Sequence, residues 1–176
     1  MKIIPLTQGK FAMVDDADFE RLNQWKWYAN WDGFNWYAKR NIKTQKGKTV
    51  LFLHKAVFGP VVDGYEVDHR NGDTLDCRNQ SLRQCTGSQN CANRRNHKLG
   101  KSGFRGVIFR NGRPKPWIAS IGSRSICNYE SLGSFKTAIE AAKAYNVAAL
   151  KRYGEFSILN DLSKYETTEK QTAGTA

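Results

Sequence analysis

The sequence predicts an α+β protein built from three successive blocks. Residues 1–53 contain short apolar runs separated by turn-forming residues, which is typical of strands joined by tight turns. Residues 54–98 contain two strand candidates followed by a helix candidate. After a short glycine-containing linker at 99–103, residues 104–160 contain three strand candidates and one long helix. Residues 161–176 are a polar tail that we expect to be disordered.

The N-terminal block predicts a strand-rich region with one short helix. The acidic start of Asp15–Asn23 favours a helix, because carboxylates stabilise the positive N-terminal end of a helix. The strand candidates are Lys10–Val14, Trp25–Asn30, Asn35–Asn41 and Thr49–Leu53. The block is also rich in aromatic residues, which are Trp25, Trp27, Tyr28, Trp31, Trp36 and Tyr37. They indicate either the core of a small sheet or a surface that stacks on unpaired bases of a nucleic acid.

The central block predicts two strands followed by a helix. Gly64–His69 reads as a strand, and Arg70–Asp76 is rich in turn-forming residues. Leu82–Cys85 can be the returning strand. Ser88 can cap a helix that carries Asn90 in its first turns. This arrangement would place Asp68 and Asn90 close together, with His69 beside them.

A carboxylate, an imidazole and an amide oxygen grouped in this way suit metal-assisted attack on a phosphodiester. Hard oxygen ligands such as those of Asp68 and Asn90 favour Mg²⁺ or Mn²⁺. A histidine near its ordinary pKa can deprotonate the attacking water, which is the role open to His69. A bound metal would neutralise charge on the phosphate and on the departing oxygen.

Three stretches of the central block, LHKAVFGP, GYEVDHRNGDTLDCRNQSLR and TGSQNCANRR, resemble the HNH endonucleases of the ββα-metal superfamily. The likeness is strongest to the homing-type group found in phages and introns. It implies hydrolysis of double-stranded DNA, with His69 as general base and with Asp68 and Asn90 as ligands of Mg²⁺ or Mn²⁺. A histidine at the position of His54 is common in this group, and we expect it to be structural or to contact phosphate.

The resemblance is incomplete at the middle position of the motif. Where the family usually has a pattern like DNRxxNLR, this chain reads DCRNQSLR, so that Ser81 stands at the central asparagine and Cys77 at another. That asparagine is thought to brace the loop that orients the catalytic histidine. Ser81 can still hydrogen-bond the backbone, or Asn79 can substitute after a small shift. The departure keeps open an alternative, a non-catalytic DNA-binding protein with a decayed nuclease module.

The C-terminal block predicts three strands and a helix. The strand candidates are Phe104–Arg110, Trp117–Ile121 and Cys127–Leu132, and the helix candidate is Thr137–Tyr153. Thr137 and Glu140 have the spacing of a capping box, and Gly154 can end the helix. One helix face carries small residues and a tyrosine, which let it lie close to a sheet: Ala138, Ala141, Ala142, Tyr145, Ala148 and Ala149.

The segments FRGVIFR, PWIASI, LGSF and AIEAAKAYNVAALKRYGEFSILN resemble the ethylene-response-factor DNA-binding domain, of the APETALA-two type. This resemblance implies a three-stranded antiparallel sheet packed on one helix, with the sheet entering the major groove. Arginine pairs with guanine edges and lysine mainly with phosphate, so basic residues on these strands and turns are candidate contacts. The DNA-binding residues that we expect are Arg105, Arg110, Arg113, Lys115, Trp117 and Arg124.

Charge favours a polyanionic partner. The chain has 28 basic and 16 acidic residues, a net charge of +12, and residues 100–160 alone carry ten basic and three acidic side chains. Such a surface attracts nucleic acid. We expect double-stranded DNA as partner, no membrane and no small-molecule substrate. A third hypothesis is a binder of RNA or a structural nucleic-acid protein, which the aromatic N-terminal block suggests.

The remaining sequence features predict an intracellular protein. The opening MKIIPLTQGK lacks the apolar core of a signal peptide, so we expect a cytoplasmic, phage- or bacterium-like location. The cysteines form no CxxC pair, which is typical of reduced thiols. A zinc site is a minor alternative, with irregular spacing between its possible ligands Cys77, Cys85, Cys91 and His97.

Overall fold

The computed structural model describes residues 1–94, 99–122 and 129–165. It contains several small antiparallel sheets and few helices, which is consistent with the expected α+β class. The chain divides into two compact units, Met1–Arg94 and Arg95–Ala176, called here the N-terminal and C-terminal units. Within the described ranges, no helix has the length and apolarity needed to cross a membrane.

The N-terminal unit begins with two small sheets. Strands β1 (Lys2–Pro5) and β2 (Phe11–Val14) form an antiparallel pair, and helix α1 (Asp16–Asn23) follows directly after Asp15. The second sheet has the order β3-β4-β5, and helix α2 follows it. The bounds are β3 Tyr28–Trp31, β4 Trp36–Thr44, β5 Gly47–Phe52 and α2 Leu53–Phe58.

The strand predicted at Trp25–Asn30 is present, but its predicted start is wrong. Strand β3 starts only at Tyr28. Trp27 turns into the core instead, where it is buried and its indole N–H donates to the Leu22 carbonyl at 2.9 Å. Sequence analysis also missed β1 and α2, each of which is only four to six residues long.

One core connects the strand-rich region to the central block. Residue 13 bridges the two, since the Met13 N–H donates to the Leu75 carbonyl and the Cys77 N–H donates to the Met13 carbonyl, each at 2.9 Å. The buried core residues are Ile4, Ala12, Val14, Leu22, Trp27, Ala38, Leu53 and Cys77. The predicted boundary at residue 53 therefore falls inside one compact unit.

The central block has the expected two strands and helix. Strands β6 (Tyr65–His69) and β7 (Leu82–Thr86) pair antiparallel, and α3 (Gly87–Ala92) follows. The expected cap at Ser88 is wrong. Thr86 caps the helix, because its hydroxyl accepts from the Gln89 N–H and the Gln89 side chain accepts from the Thr86 N–H.

The C-terminal unit is a three-stranded antiparallel sheet against one helix. The sheet order is β10-β9-β8, and the helix packs on it through Val107, Ala119, Ala141 and Ala142. The bounds are β8 Val107–Phe109, β9 Trp117–Ile121, β10 Glu130–Phe135 and α4 Ala138–Tyr153.

Two of the expected strands in this unit are displaced. The first begins at Val107 and not at Phe104, because Gly106 has a positive φ of 72° that interrupts extended backbone. The third spans Glu130–Phe135 and not Cys127–Leu132, and residues 127 and 128 lie outside the described residues.

The ends of α4 follow the expected signals in part. The Thr137 hydroxyl accepts from the Glu140 N–H, but the Glu140 carboxylate accepts from the Lys136 N–H, so the reciprocal bond of a capping box is shifted by one residue. Gly154 ends the helix with a φ of 54°. The fold continues beyond residue 160, since Leu162 is buried in the core. Residues 166–176 of the expected tail lie outside the described residues.

Candidate active site

Two histidine rings meet at the centre of the N-terminal unit. His54 lies on α2 and His69 ends β6, and their ring centroids are 4.9 Å apart at 82°. Both are buried, with exposures of 6% and 5%. Tyr37 lies 6.0 Å from His54 and 6.5 Å from His69, and Phe52 lies 5.2 Å from His54. Four rings from three segments therefore form one cluster.

His69 is held in its neutral form. Burial lowers its pKa, and this effect outweighs the carboxylates of Asp68, Asp73 and Asp76, which raise it. The ring atom Nε2 is buried and has no hydrogen-bond partner among the described residues. A buried imidazole nitrogen without a partner requires an explanation, and a catalytic role is one of the few available. The ring can therefore accept a proton at neutral pH.

His54 is still harder to protonate. Burial is the largest cause, and the neighbouring His69, Lys55 and Lys39 add to it, so that the pKa of His54 is lowered to about 3. A histidine of that kind is uncharged throughout the ordinary pH range. His54 contacts the ring of His69 but carries no charge that would attract phosphate. Of the two roles expected for His54, structural support or contact with phosphate, these observations favour structural support.

Asp68 is buried beside His69, and both of its carboxylate oxygens accept hydrogen bonds. Its Oδ2 accepts from the Arg83 Nε at 2.9 Å. The Asn93 Nδ2 lies 3.0 Å from Oδ1 and 2.9 Å from Oδ2, and 2.9 Å from the His69 carbonyl oxygen. Asn93 thus ties the carboxylate to the backbone of the histidine. Sequence reasoning missed it, although it follows Asn90 by three residues, about one helical turn.

Asn90 meets β6 at a different point. Its Nδ2 donates to the Glu66 Oε2 at 2.6 Å, two residues before Asp68 on the strand. Its Oδ1 accepts no hydrogen bond from the residues that the structure describes. Asp68 and His69 are thus adjacent, while Asn90 and Asn93 approach the same strand from α3.

The oxygen donors along β6 and α3 fit a hard divalent cation. The Asn90 Oδ1 and the carboxylates of Glu66 and Asp68 are the type of ligand that Mg²⁺ accepts, and Mg²⁺ retains several waters, so it needs few protein ligands. The described ranges contain no cluster of three or more His, Cys, Asp or Glu residues able to hold a metal.

The zinc alternative finds little support in the cysteines. Burial raises the pKa of Cys77 to about 12 and that of Cys85 to about 11, so both are protonated at neutral pH, whereas zinc binds thiolates. Cys91 is a free, exposed thiol, and His97 lies outside the described residues.

The loop after His69 is organised around Asp76, which is 1% exposed. Its carboxylate accepts from the Ser81 Oγ at 2.7 Å, from Nε and Nη2 of Arg78 at 2.7 Å each, and from the Asn71 Nδ2 at 2.8 Å. The hydrogen bonds from Arg78, Ser81 and Asn71 depress the pKa of Asp76 well below its ordinary value, and the Arg78 bond is the largest cause. These bonds outweigh burial, which raises the pKa of the carboxyl.

Ser81 braces this loop at two points. Besides its bond to Asp76, its backbone carbonyl accepts from the Arg70 N–H at 2.8 Å, directly after the catalytic candidate His69. Asn79 does not take over this position. It donates to Asp15 at 2.8 and 3.0 Å and thereby fastens the loop to the start of α1.

The expected DNA-contacting residues of the C-terminal unit differ in their surroundings. Arg110, Arg113 and Lys115 are exposed on the turn between β8 and β9. Trp117 packs on Phe109, with ring centroids 4.8 Å apart. Arg124 lies outside the described residues.

Arg105 has a structural role in addition to any contact with DNA. It is partly buried, and its backbone N–H and carbonyl both bond the Asn160 side chain, at 2.6 and 3.1 Å. Its side chain hydrogen-bonds Tyr145. This residue therefore joins the segment before β8 to α4 and to the chain beyond it.

Comparison with known proteins finds a similarity to HNH endonucleases in the central block. Residues 53–92 match the family model of HNH endonucleases. Over 160 residues, the chain is 26% identical to a protein of Acanthamoeba polyphaga mimivirus named as an uncharacterized HNH endonuclease, with 88% of this chain and 77% of that protein covered. The match to the family model contains His54, Asp68, His69 and Asn90, whereas Tyr37 and Asn93 lie outside it.

Proposed function

We propose that this protein is a metal-dependent, homing-type HNH endonuclease that hydrolyses phosphodiester bonds of double-stranded DNA. The observation that carries the proposal is the neutral, buried His69 beside Asp68, in a β-β-α segment that matches the HNH family model. HNH nucleases in general use divalent metal ions and act on nucleic acid. The chain's net charge of +12 suits such a substrate.

In this proposal His69 is the general base. Its neutral ring takes a proton from the water that attacks the phosphorus, and the nearby carboxylates then stabilise the imidazolium that forms. The contact with His54 and the bond from Asn93 to the His69 carbonyl hold the ring and its backbone in place. Ser81 and Asp76 fix the loop that follows.

Asp68 and Asn90 would hold the metal, and Mg²⁺ or Mn²⁺ suits their oxygens. A bound ion of this kind neutralises charge on the phosphate and on the departing 3′ oxygen. Asn93 and Arg83 orient the Asp68 carboxylate. Glu66, which bonds Asn90, orients the amide in the same way.

The C-terminal unit would position the DNA in the manner of an ethylene-response-factor domain. The support is its three-stranded antiparallel sheet packed on α4, together with the cations exposed between β8 and β9. The residues proposed to contact DNA are Arg105, Arg110, Arg113, Lys115, Trp117 and Arg124. Exposed Arg110 and Arg113 are the better candidates for base or phosphate contacts, because the Arg105 side chain is already bonded within the unit.

The test is cleavage of supercoiled plasmid with Mg²⁺ or Mn²⁺ and with a chelator. We expect cleavage with either ion and none with the chelator. Asn90→Ala should require a higher metal concentration for the same rate, and Asp68→Asn should lose cleavage. Asp63→Asn makes the same chemical change at an exposed carboxylate and should cut normally. Metal-independent cleavage would refute the proposed mechanism.

A non-catalytic DNA-binding protein with a decayed nuclease is the second candidate. Two observations favour it: Arg83 already neutralises Asp68, and Ser81 replaces the usual asparagine. This candidate predicts DNA binding that weakens steeply with salt, but no cleavage with any divalent ion.

A further inference from the structure

The three-stranded sheet β3-β4-β5 has one side on the core and one side open to solvent. Successive side chains of a strand point to opposite sides of a sheet. Ala38 of β4 is buried in the core, and Leu51 of β5 packs against that core. We call the other side the outer face and define it by alternate positions on β4 and their register partners on β5: Tyr37, Lys39, Asn41 and Lys43, with Lys48, Val50 and Phe52.

Contacts within the outer face show that its side chains lie together. The Lys39 Nζ lies 4.5 Å from the ring centroid of Phe52, and the Tyr37 ring lies 5.7 Å from the same ring. Further along, Val50 is 43% exposed although it is apolar. Lys43 and Lys48, which follow toward the end of the hairpin, are exposed as well. The outer face is therefore accessible to a partner.

The outer face begins at the candidate active site. Its member Phe52 lies 5.2 Å from His54 between ring centroids, and His54 in turn lies 4.9 Å from His69. Lys55 directly follows His54 on α2, and its Nζ lies 5.7 Å from the Phe52 centroid. The ammonium groups of Lys39 and Lys55 are therefore both placed at a ring that contacts the histidine pair. A DNA strand whose phosphate is bound at His69 would meet these two cations first.

Positive charge on this part of the chain has no acidic counterpart. Residues 36–55 contain six basic side chains and no acidic one. Arg40 lies on the core side of the sheet, where its guanidinium is 4.1 Å from the Trp25 ring centroid. The other five are lysines, and none of them forms an ion pair with a carboxylate of the described residues: Lys39, Lys43, Lys46, Lys48 and Lys55. A polyanion would supply the missing negative charge.

The end of the β4–β5 hairpin concentrates this charge. Lys43 and Lys48 are directly opposite each other in the register, and Lys46 lies in the turn between the strands. Like charges that face each other across an antiparallel pair destabilise it. Such a repulsion on an exposed hairpin points to a role in binding, because the fold itself gains nothing from it.

The length of the outer face fits a duplex lying along it. Lys43 follows Tyr37 by six residues on β4, which is about 20 Å at ~3.3 Å per residue. Double-stranded DNA rises ~3.4 Å per base pair, so this distance corresponds to about six base pairs. Lysine carries a flexible point charge that suits phosphate oxygens better than base edges. The outer face therefore fits the sugar-phosphate backbone rather than a base sequence.

We propose that the outer face, together with Lys46 and Lys55, binds the phosphate backbone of duplex DNA over about six base pairs beside the bond that is cut. The inference rests on the proposed function for the place of that bond at His69. It adds a second DNA-binding surface, on the N-terminal unit, to the one proposed for the C-terminal unit. Lys39 and Lys55 contact the phosphates nearest the bond, and the lysines at the end of the hairpin contact more distant ones.

The test measures how salt weakens binding of the full chain to a fluorescently labelled duplex, by anisotropy and in chelator so that nothing is cut. Each lysine–phosphate contact contributes about 0.9 to the slope of log affinity against log salt concentration. Lys43→Gln combined with Lys48→Gln should therefore reduce the slope by about 1.8, and Lys39→Gln by about 0.9. Lys2→Gln is the matched control, because Lys2 is an exposed lysine of the same unit that is already paired with Glu20, and its slope should equal that of the wild type.

Unfolding of the DNA-free protein separates a binding role from a structural one. Lys48→Gln removes the repulsion with Lys43, so its urea midpoint should be equal to or higher than that of the wild type. A lower midpoint would show that this lysine stabilises the hairpin, and it would overturn the inference.

The inference is also overturned if the Lys43→Gln, Lys48→Gln double variant keeps the wild-type slope. The same holds if Lys2→Gln lowers the slope by as much as Lys48→Gln does, because net charge alone would then account for the effect. A change in the oligomeric state of the DNA-free double variant would overturn it as well, since a second copy would then cover the outer face. Plasmid cleavage with an unchanged slope in the double variant contradicts only this inference. A reduced slope without cleavage by any of these proteins supports the DNA surface and contradicts the nuclease.

Discussion

The clearest energetic prediction concerns Ser81, the residue at the position where HNH sequences usually have asparagine. Replacing it by alanine removes the 2.7 Å bond from its hydroxyl to the Asp76 carboxylate, in a site where Ser81 is 6% exposed. A hydrogen bond to a charged group contributes about 1.5–3 kcal/mol. Asn71 and Arg78 still satisfy the carboxylate after the substitution, so we expect the lower part of that range, about 1.5–2 kcal/mol.

Urea unfolding followed by tryptophan fluorescence measures this change. Four of the five tryptophans belong to residues 1–94, so the signal reports mainly on the N-terminal unit. Thermal unfolding gives a second measure of the same change. For a domain of this size, each kcal/mol of lost stability lowers the Tm by about 4–8 °C, so the expected fall in Tm is about 6–16 °C. Thr49→Ala is the matched control, because Thr49 is exposed on β5 and its hydroxyl makes no hydrogen bond to the described residues.

A double-mutant cycle with Asp76→Asn tests the mechanism behind the number. The coupling between the two substitutions should be about 1–2 kcal/mol, since Ser81→Ala removes the donor of the bond and Asp76→Asn removes the charge of its acceptor. A Ser81→Ala protein as stable as the Thr49→Ala control, or a coupling near zero, would refute the view that Ser81 replaces the usual asparagine as the brace of this loop.

Three further substitutions act on separate parts of the molecule. His54→Gln should reduce the acid destabilisation of the N-terminal unit: with a pKa of about 3 in the folded state and about 6.5 in the unfolded state, only the unfolded state binds this proton, so wild-type stability falls by about 1.5–2 kcal/mol from pH 6.5 to pH 5. Urea unfolding at both pH values measures the difference, and equal slopes in the two proteins would contradict a neutral, buried His54. Tyr37→Phe keeps the ring beside the histidines and should retain single-turnover cleavage within about tenfold, whereas Tyr37→Ala should lose more; equal losses would assign the role to the hydroxyl instead. Gly106→Ala places a Cβ 2.1 Å from the Tyr145 ring at a positive φ and should destabilise the C-terminal unit by about 2–5 kcal/mol, read by circular dichroism, while Gly112→Ala, with a similar φ and open space, should cost only about 1–2 kcal/mol. Similar melting of the two glycine variants would show that the close approach to Tyr145 carries no energetic weight.

Much of the fold could be predicted because its signals are local. The β6–β7 pair and α3 are marked by short apolar runs on either side of a turn rich in Asn, Gly and Asp. The length and small-residue face of α4 are visible in its periodicity. The elements that sequence analysis missed were β1 and α2, which are too short to show a period. The strand predicted from Trp25 was placed too early because Trp27 packs in the core. Its indole N–H donates to the Leu22 carbonyl, and β3 begins only at Tyr28.

Some residues of the candidate site could likewise be predicted from the sequence, and others could not. Asp68 and His69 stand next to each other at the end of a strand, so their pairing is visible in the sequence. Tyr37 joins them only through the register of β4 with β5, which places distant parts of the chain side by side. Asn93 reaches Asp68 because the end of α3 packs against β6, and no local pattern encodes that packing. Contacts set by tertiary packing are those that the sequence alone did not reveal.

The most direct measurement is the single-turnover rate at which His69→Ala cleaves DNA at saturating Mg²⁺, compared with wild type at equal fractions of bound DNA. A general base contributes on the order of 10²–10⁴-fold, so the variant should be slower by at least about 100-fold while its affinity for DNA is unchanged. A His69→Ala protein that cleaves at the wild-type rate would contradict the central claim, because the neutral imidazole of His69 would then not be the base.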